Sequence, residues 1–209
     1  MTASVQSVEA VCNIALQLIG YPQRLGDIFE GSKASKIALD LYAETRDETL
    51  RERNWGFANR AVTLTLLKSA PSSGYSSSAP WANTYPPIPW AYEYAYPADC
   101  IRLLYVYSGQ TAFPNNDPLP VQYKTANDNA YSPPQRVILS NQANAVGVYT
   151  GQVTDMTTWE PLFTRTMTHA LAQRFAAALA QGQALIELRK QEAQSEMESA
   201  AESEAREET

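Results

Sequence analysis

The hydrophobic pattern of this chain changes its period within residues 39–67, and this change constrains the fold more than any other feature. Before it, apolar residues recur at spacings of three and four, which predicts the buried face of a helix. After it, Val62, Leu64 and Leu66 alternate with their neighbours, which predicts a strand over 62–67. Trp55 stands at the junction. A helical part is therefore followed directly by a β part.

The helix before the junction also carries a charged face. Its residues are Glu44, Arg46, Asp47, Glu48, Arg51, Glu52 and Arg53. A face of this composition is expected to contact solvent or another subunit. Asn54 and Gly56 are expected to end the helix, because both residue types tolerate the left-handed geometry of a C-terminal cap.

The N-terminal region predicts two helices joined by a loop. Residues 4–20 keep one apolar face, with a serine to cap the start and Gly20 to end the helix. In the loop, Ile28 and Phe29 are expected to be tucked in. Ser32 is expected to cap the second helix, over 33–53, and the two helices should pack as a hairpin.

A helical period returns after residue 157. Thr157 or Thr158 is the expected cap, and Pro161 falls in the first turn, where proline is tolerated. Residues 181–183 form the expected corner, and a fourth helix starts near residue 184. Beyond residue 190 this helix is rich in glutamate and small residues, so it should fray alone and become ordered on a partner.

The middle of the chain predicts a small antiparallel β domain with long loops. Residues 91–107 form two extended pieces around a turn that contains Asp99. Residues 121–123 are a further short candidate, before a polar loop that contains Asp128. Residues 136–139 and 145–150 are expected to form a hairpin.

The expected fold class is therefore α+β, with a helical bundle built from the N- and C-terminal helices and a small antiparallel β domain inserted between them. We divide the chain into an N-terminal helical hairpin at 1–59, a β domain with long loops at 60–156, and a C-terminal helical hairpin with an acidic tail at 157–209. The hairpin at 157–209 is expected to complete the bundle.

Charge and composition narrow the function classes. The net charge is -6, so a basic patch that grips nucleic acid is disfavoured. The two cysteines, Cys12 and Cys100, lack metal-binding spacing and indicate a reducing compartment. No signal peptide or membrane span is evident, so we expect a soluble chain with no membrane partner.

Residues suited to catalysis are scarce. His169 is the only histidine, and its alanine-rich helix favours a structural or interfacial role. Asp40, Glu44, Asp47 and Glu48 have helical spacing that would suit a hydrolase, but interleaved arginines favour a solvated or subunit-contact face. We expect no enzyme activity, no cofactor and no metal site, and Asp99 is interpreted as a turn residue.

The segment 68–90 is rich in proline, serine and glycine, and aromatic residues are scattered through it. Loops of this length are usually functional or mobile. Trp81, Tyr85 and Trp90 could stack on sugars, which would make 75–94 part of a carbohydrate-binding tail module. The segment 85–89 could instead be a proline-rich ligand. We favour a loop that packs on a neighbouring subunit.

A set of motifs then appears in a fixed order. They are Asn13-x-Ala15-Leu16-x-x-Ile19-Gly20, Arg46-Asp47-x-x-Leu50, Trp55-x-Phe57-Ala58, and Trp90-x-Tyr92-x-Tyr94-x-x-Pro97-x-Asp99-Cys100-x-Arg102. The order resembles the head-to-tail adaptors of short-tailed bacteriophages, of the tail tubular protein A type. The resemblance covers most of the chain, and its motifs concern packing rather than catalysis.

This resemblance implies a structural protein of the virion, located in the tail or neck and made in the host cytoplasm. Such adaptors form a ring, typically dodecameric, between the portal and the tail nozzle. They extend the DNA channel without sequence-specific binding and provide a platform for tail fibres or spikes. The interface residues expected on this basis are Arg46, Asp47, Arg51, Trp81, Tyr85, Trp90, Glu196, Met197 and Glu202.

Overall fold

The structure is a computed structural model of the 209-residue chain, and it describes residues 7–72, 74, 84–108, 120–179 and 183–207, with the backbone alone at 183–186 and 202–207. It is a mixed α+β fold. The described residues form four α-helices, α1 to α4, and seven strands, β1 to β7. The strands form two antiparallel sheets. No helix among the described residues is long and apolar enough to cross a membrane.

The chain divides into two compact units, which we call the helical unit and the sheet unit. The helical unit consists of Met1–Ala58 and Gln152–Thr209, and the sheet unit of Asn59–Gly151. The helices of the first are α1 (Val8–Leu18), α2 (Lys33–Glu52), α3 (Pro161–Ala178) and α4 (Gln183–Glu207). Helices α1 and α2, predicted as a hairpin, make their main helix contacts with α3, and α4 also packs on α3.

Helix α1 is closed at both ends as its sequence predicts. The Ser7 side chain accepts a hydrogen bond from the backbone N–H of Ala10. After the last turn, Gly20 adopts a φ of 70°, and its N–H donates to the carbonyl of Gln17. The N–H of Tyr21 donates to Leu16, which completes the pair of bonds of a Schellman cap.

Helix α2 begins as predicted and ends differently. The Ser32 hydroxyl accepts from the N–H of Ser35, which confirms the N-cap. At the other end, the helix stops at Arg53 in an extended conformation, with φ −133° and ψ 165°. Gly56 lies in a 3₁₀ turn without a positive φ. The prediction of a left-handed cap at Asn54 or Gly56 is therefore wrong.

The aromatic residues at this junction surround one side chain of α3. Phe163 is fully buried, and Trp55, Phe57 and Trp159 each meet its ring edge to face. The indole N–H of Trp55 donates to the carbonyl of Thr49, so the large ring is buried without an unpaired donor. This cluster joins the two stretches of chain that form the helical unit.

The sheet unit contains a three-stranded sheet in the order β1-β7-β4 and a four-stranded sheet in the order β2-β3-β6-β5. Its strands are β1 (Asn59–Thr63), β2 (Leu66–Ser69), β3 (Tyr92–Ala95), β4 (Cys100–Ser108), β5 (Tyr123–Asp128), β6 (Gln135–Ser140) and β7 (Ala145–Gly151). Both sheets contribute to one apolar core, with Tyr94 and Ile138 from the larger sheet and Leu103, Val106 and Tyr149 from the smaller.

The single strand predicted over 62–67 is two strands in different sheets. The N–H of Leu64 donates to Ala145 beside the first sheet, and the carbonyl of Thr65 accepts from Ala95 in the second. Leu64 is buried at this crossing. Gly147 leaves room for it, because a Cβ at that position would lie 2.8 Å from the Leu64 side chain.

The hairpin predicted between residues 136 and 150 is wrong as well. Strands β6 and β7 exist, but β6 pairs with β3 and β5, whereas β7 pairs with β1 and β4. Both are central strands, so both edges of each strand are already hydrogen-bonded to other strands. The predicted polar loop at Asp128 is also wrong, because β5 runs to that residue.

Candidate interaction site

The charged face predicted on α2 is largely engaged within the helical unit. Arg46 is only 8% exposed, so the prediction of a solvated face is wrong at this position. Its Nε lies 2.7 Å from Oδ1 of Asp47, whose other oxygen accepts from Gln152 at 2.7 Å. Arg51 is exposed. Arg46 therefore offers little surface to another subunit, whereas Arg51 offers more.

Two carboxylates of α2 face a cation of α3. Arg174 of α3 bonds to Glu48 and has Nη1 3.8 Å from Oε2 of Glu44. Burial and the nearby Glu48 raise the pKa of Glu52. Glu48, Glu52 and Arg174 line a cleft of about 230 Å³ between α2, α3 and α4. Glu44 and Glu48, two of the four carboxylates that sequence spacing suggested as a site, are therefore near an arginine.

Helix α4 packs on α3, and an ion pair joins the two helices. Arg165 of α3 has Nε 2.6 Å from Oε2 of Glu196, which was predicted as an interface residue. His169 has Nδ1 3.8 Å from Glu192, and Arg189 of α4 bonds to the same carboxylate. Met197 lines the cleft. Glu202 lies on α4, and its side chain is outside the described part of the chain.

The aromatic segment is described from residue 84 onward, so Trp81 lies outside the described residues. Tyr85 is 37% exposed, and Ile88 next to it is also exposed. Trp90 is half-buried, and its backbone N–H donates to the carbonyl of Pro87 at 2.8 Å. Of the three aromatic residues predicted for this site, Tyr85 therefore presents its ring to the surface.

The structure shows an exposed aromatic residue that the sequence argument misplaced. Ile28 is buried as expected, but Phe29 is 76% exposed, so the prediction that it is tucked in is wrong. The loop that carries it is held by hydrogen bonds. Glu30 accepts from the N–H of Gly26 and from the Ser32 hydroxyl, and Asp27 accepts from the N–H of Phe29.

Asn13 anchors the same loop to α1. Its side-chain amide donates to the carbonyl of Leu25 at 2.9 Å, and its oxygen accepts the N–H of Leu25 at 2.8 Å. This pairing is buried, and Leu25 is part of the core. The signal in the sequence was the polar pattern Asp27, Glu30 and Ser32, which is typical of a hydrogen-bonded turn. The loop that carries Phe29 is therefore fixed by hydrogen bonds within itself and to α1.

A buried charge cluster in the sheet unit was also missed. Lys68 of β2 bonds to Asp128 of β5, and its Nζ lies 3.4 Å from Oε1 of Glu93 on β3. Glu93 is 2% and Asp128 4% exposed, and the Lys68 side chain is 10% exposed. Lys68 and Asp128 were both predicted to lie in loops, where charged residues are common. Their positions in the sequence therefore gave no reason to expect a contact between them.

The pKa values in this cluster follow from its burial. Burial raises the pKa of Glu93 to about 6, supported by its hydrogen bond with Asp128. Burial alone would raise the pKa of Asp128 too, but hydrogen bonds from Lys68 and from the N–H of Ala130 lower it. Burial opposes the charge of Lys68, but the two carboxylates raise its pKa. The cluster therefore holds the ammonium of Lys68 paired with the carboxylate of Asp128, beside Glu93, whose pKa is about 6.

Asp99 has more contacts than a simple turn residue. It accepts a hydrogen bond from the Tyr149 hydroxyl at 2.9 Å and pairs with Arg60. Burial and this hydrogen bond raise the pKa of Tyr149 to about 12. Among the residues the structure describes, no group of three or more His, Cys, Asp or Glu side chains is arranged to hold a metal ion.

No protein-family model matches the sequence, and no curated protein is significantly similar to it. Function is therefore inferred from the surfaces described above and from the motif order of the sequence.

Proposed function

We propose that this chain is a structural protein of a bacteriophage virion, a head-to-tail adaptor that forms a ring between the portal and the tail nozzle. In this role it extends the DNA channel and provides a platform for fibres or spikes. It works by binding other proteins, not by catalysis. The virion setting is supported by the resemblance in motif order, and the assembly role by the surface of the helical unit.

The observation that carries the assembly role is the presentation of Phe29. Burial of a phenylalanine side chain yields about 2–3 kcal/mol, so an aromatic ring that is 76% exposed is a strong contact once a partner covers it. The hydrogen bonds of Asp27, Glu30 and Asn13 already order the loop. Less conformational entropy is then lost on binding.

Two further apolar side chains lie exposed on the helices that flank this loop. Ile14 of α1 and Leu39 of α2 are both more than two-fifths exposed. All three exposed side chains belong to α1, α2 and the loop between them, and each would gain burial where a partner covers this segment. We assign this segment, together with Tyr85, to contacts with neighbouring copies of the chain.

The partner of helix α4 is proposed to be the portal. Its α3-facing side is held by the pairs of Glu192 and Glu196 with His169 and Arg165. The opposite side carries exposed residues such as Glu187, Leu188 and Glu198. This face is mainly acidic, so it would suit a basic or polar groove on the partner. The helices themselves are proposed to form one bundle around α3, with the sheet unit inserted between Ala58 and Gln152.

The net charge of -6 fits a channel through which DNA passes without being held. Proteins that bind DNA tightly neutralise phosphates with lysine and arginine, and an acidic surface does the reverse. We therefore expect DNA to pass the ring without sequence-specific contacts.

Virion composition tests this proposal. Particles of the phage that encodes the chain would be purified, and the chain would be quantified against the portal by mass spectrometry. The proposal expects the chain in mature particles at a copy number equal to that of the portal. Its absence from infectious particles would overturn the proposal.

A further inference from the structure

The buried cluster of Lys68, Glu93 and Asp128 brings an amine and a carboxyl group into direct contact in a dry environment. Lys68 donates to Oδ2 of Asp128, and Glu93 contacts both partners. We propose that this cluster is a modification site, at which the chain forms an intramolecular amide bond between Nζ of Lys68 and Cγ of Asp128, with Glu93 as the catalytic residue. This inference is independent of the adaptor proposal.

The position of the cluster in the sheet shields its two carboxylates from most contact with water. Side chains alternate along a strand, so Glu93 lies on the face opposite to Tyr94, which belongs to the core between the sheets. Leu139, the register partner of Glu93 on β6, and Val137 share that face and are almost fully buried. The Tyr131 ring lies over the ammonium, 5.3 Å from Nζ to the ring centroid.

Burial makes the ionised cluster costly and the amide favourable. Two carboxylates against one ammonium leave an excess negative charge when all three groups are ionised, and desolvation of each charge costs several kcal/mol. Conversion of Lys68 and Asp128 to an amide removes two of these charges at once. In water the same condensation is disfavoured, because an ammonium is no nucleophile and a carboxylate is a poor electrophile.

The step proceeds from the contact already present. A proton moves from Lys68 along its hydrogen bond to Asp128, which gives a neutral amine and a carboxylic acid held in place. The Nζ–Cγ bond forms and one Cγ–O bond breaks. Glu93 takes a proton from the attacking nitrogen and gives it to the departing oxygen. The ammonium loses two hydrogens to the released water, Glu93 returns to its first state, and nothing is oxidised or reduced.

The product would join the two edge strands of the four-stranded sheet. Lys68 lies on β2 and Asp128 on β5, with β3 and β6 between them in the sheet, and the two residues are 60 positions apart in sequence. A covalent bond across this distance restricts the unfolded chain in the way that a disulfide does. It needs no oxidant and would survive in a reducing compartment.

The mass of the denatured full-length chain tests the inference. We expect the purified protein to be lighter than its sequence by one water, after allowance for removal of the first methionine. Proteolysis should yield one joined peptide that contains Lys68 and Asp128. A full sequence mass after long incubation at neutral pH would overturn the inference, and so would a loss of water without the joined peptide.

Two variants sharpen the result. Glu93→Gln keeps the volume of the side chain but cannot shuttle a proton, so the variant should retain its full mass. Asp128→Asn should lose ammonia in place of water, and its product should then have the same final mass as the wild-type product. If Asp128→Asn kept its full mass while the wild type lost water, the assigned acceptor carbon would be wrong. Wild-type mass alone decides the question if a variant fails to fold.

Discussion

The indole of Trp55 meets the ring of Phe163 edge to face, with 5.1 Å between ring centroids and an interplanar angle of 81°. These residues belong to different stretches of the chain, and their contact holds the helical unit together. Phe163→Ala should therefore lower the free energy of unfolding by about 3–5 kcal/mol, through lost burial and the cavity left behind. Chemical denaturation measures this directly.

The matched control for that variant is Arg165→Ala in the same helix. Arg165 is exposed and pairs with Glu196, and exposed pairs contribute about 0–1 kcal/mol. If Phe163→Ala were as stable as this control, the aromatic cluster would not be a main source of stability for the helical unit.

The exposed Phe29 should matter for assembly and not for folding. Phe29→Ser is expected to change the stability of the isolated chain by less than about 0.5 kcal/mol. It should weaken each inter-subunit contact by about 2 kcal/mol, or roughly thirtyfold. Sedimentation of the chain with the portal measures the second effect. Val62→Ser, at another exposed apolar residue, is the control and should assemble normally.

Asn13 should be needed to hold the loop that carries Phe29. Asn13→Ala leaves the buried N–H and carbonyl of Leu25 without partners, and this should cost about 2–4 kcal/mol. Thermal unfolding would show the loss. Gln17→Ala, an exposed site on the same helix, should be close to neutral. Equal stability of the two variants would rule out the anchoring role.

The raised pKa of Glu93 predicts a specific pH dependence of stability in chains of full sequence mass, in which Lys68 and Asp128 are not joined. Between pH 4.5 and about 6 the folded chain binds more protons at this residue than the unfolded chain, so this contribution to stability falls as pH rises through that window. The contribution is about 2 kcal/mol. Glu93→Gln should remove this slope in denaturant titrations, whereas Glu44→Gln on α2 should leave it. An unchanged slope in Glu93→Gln would refute the assignment.

The thiol of Cys12 should be inert in the folded chain. It is fully buried, and burial raises its pKa to about 12. A Cys100→Ser variant, in which Cys12 is the only cysteine, should not react with a thiol reagent at mildly alkaline pH until denaturant unfolds it. Rapid labelling of the native variant would contradict the packing of α1.

The sequence predicted both ends of α1 and the start of α2, because these ends depend on local chemistry. Ser7, Ser32 and Gly20 act on groups within one turn of themselves, so their residue types are sufficient evidence. The cap expected at Thr157 or Thr158 is wrong, because both residues lie in a 3₁₀ turn and α3 begins at Pro161, after Glu160, which makes no side-chain cap. The strands were predicted in part, at β3 and β4 above all. The predicted pairing of β6 with β7 was wrong, because the apolar pattern of a strand does not determine which strand it pairs with.

The candidate sites were harder to predict, for two physical reasons. Hydrophobicity predicts that Phe29 is buried, and only the hydrogen bonds around Asp27 and Glu30 turn it outward. Lys68 and Asp128 are charged and lie 60 residues apart, so their burial together depends on the tertiary fold. Both features come from contacts that no window of sequence contains.

The adaptor role is tested most directly by the mass of the chain in solution with its portal. Light scattering would be recorded for the folded chain alone, for the portal alone and for their mixture. The account predicts a complex that carries about one added chain per portal subunit, as a ring of matching symmetry requires. A well-folded chain that elutes apart from the portal at every concentration would contradict it.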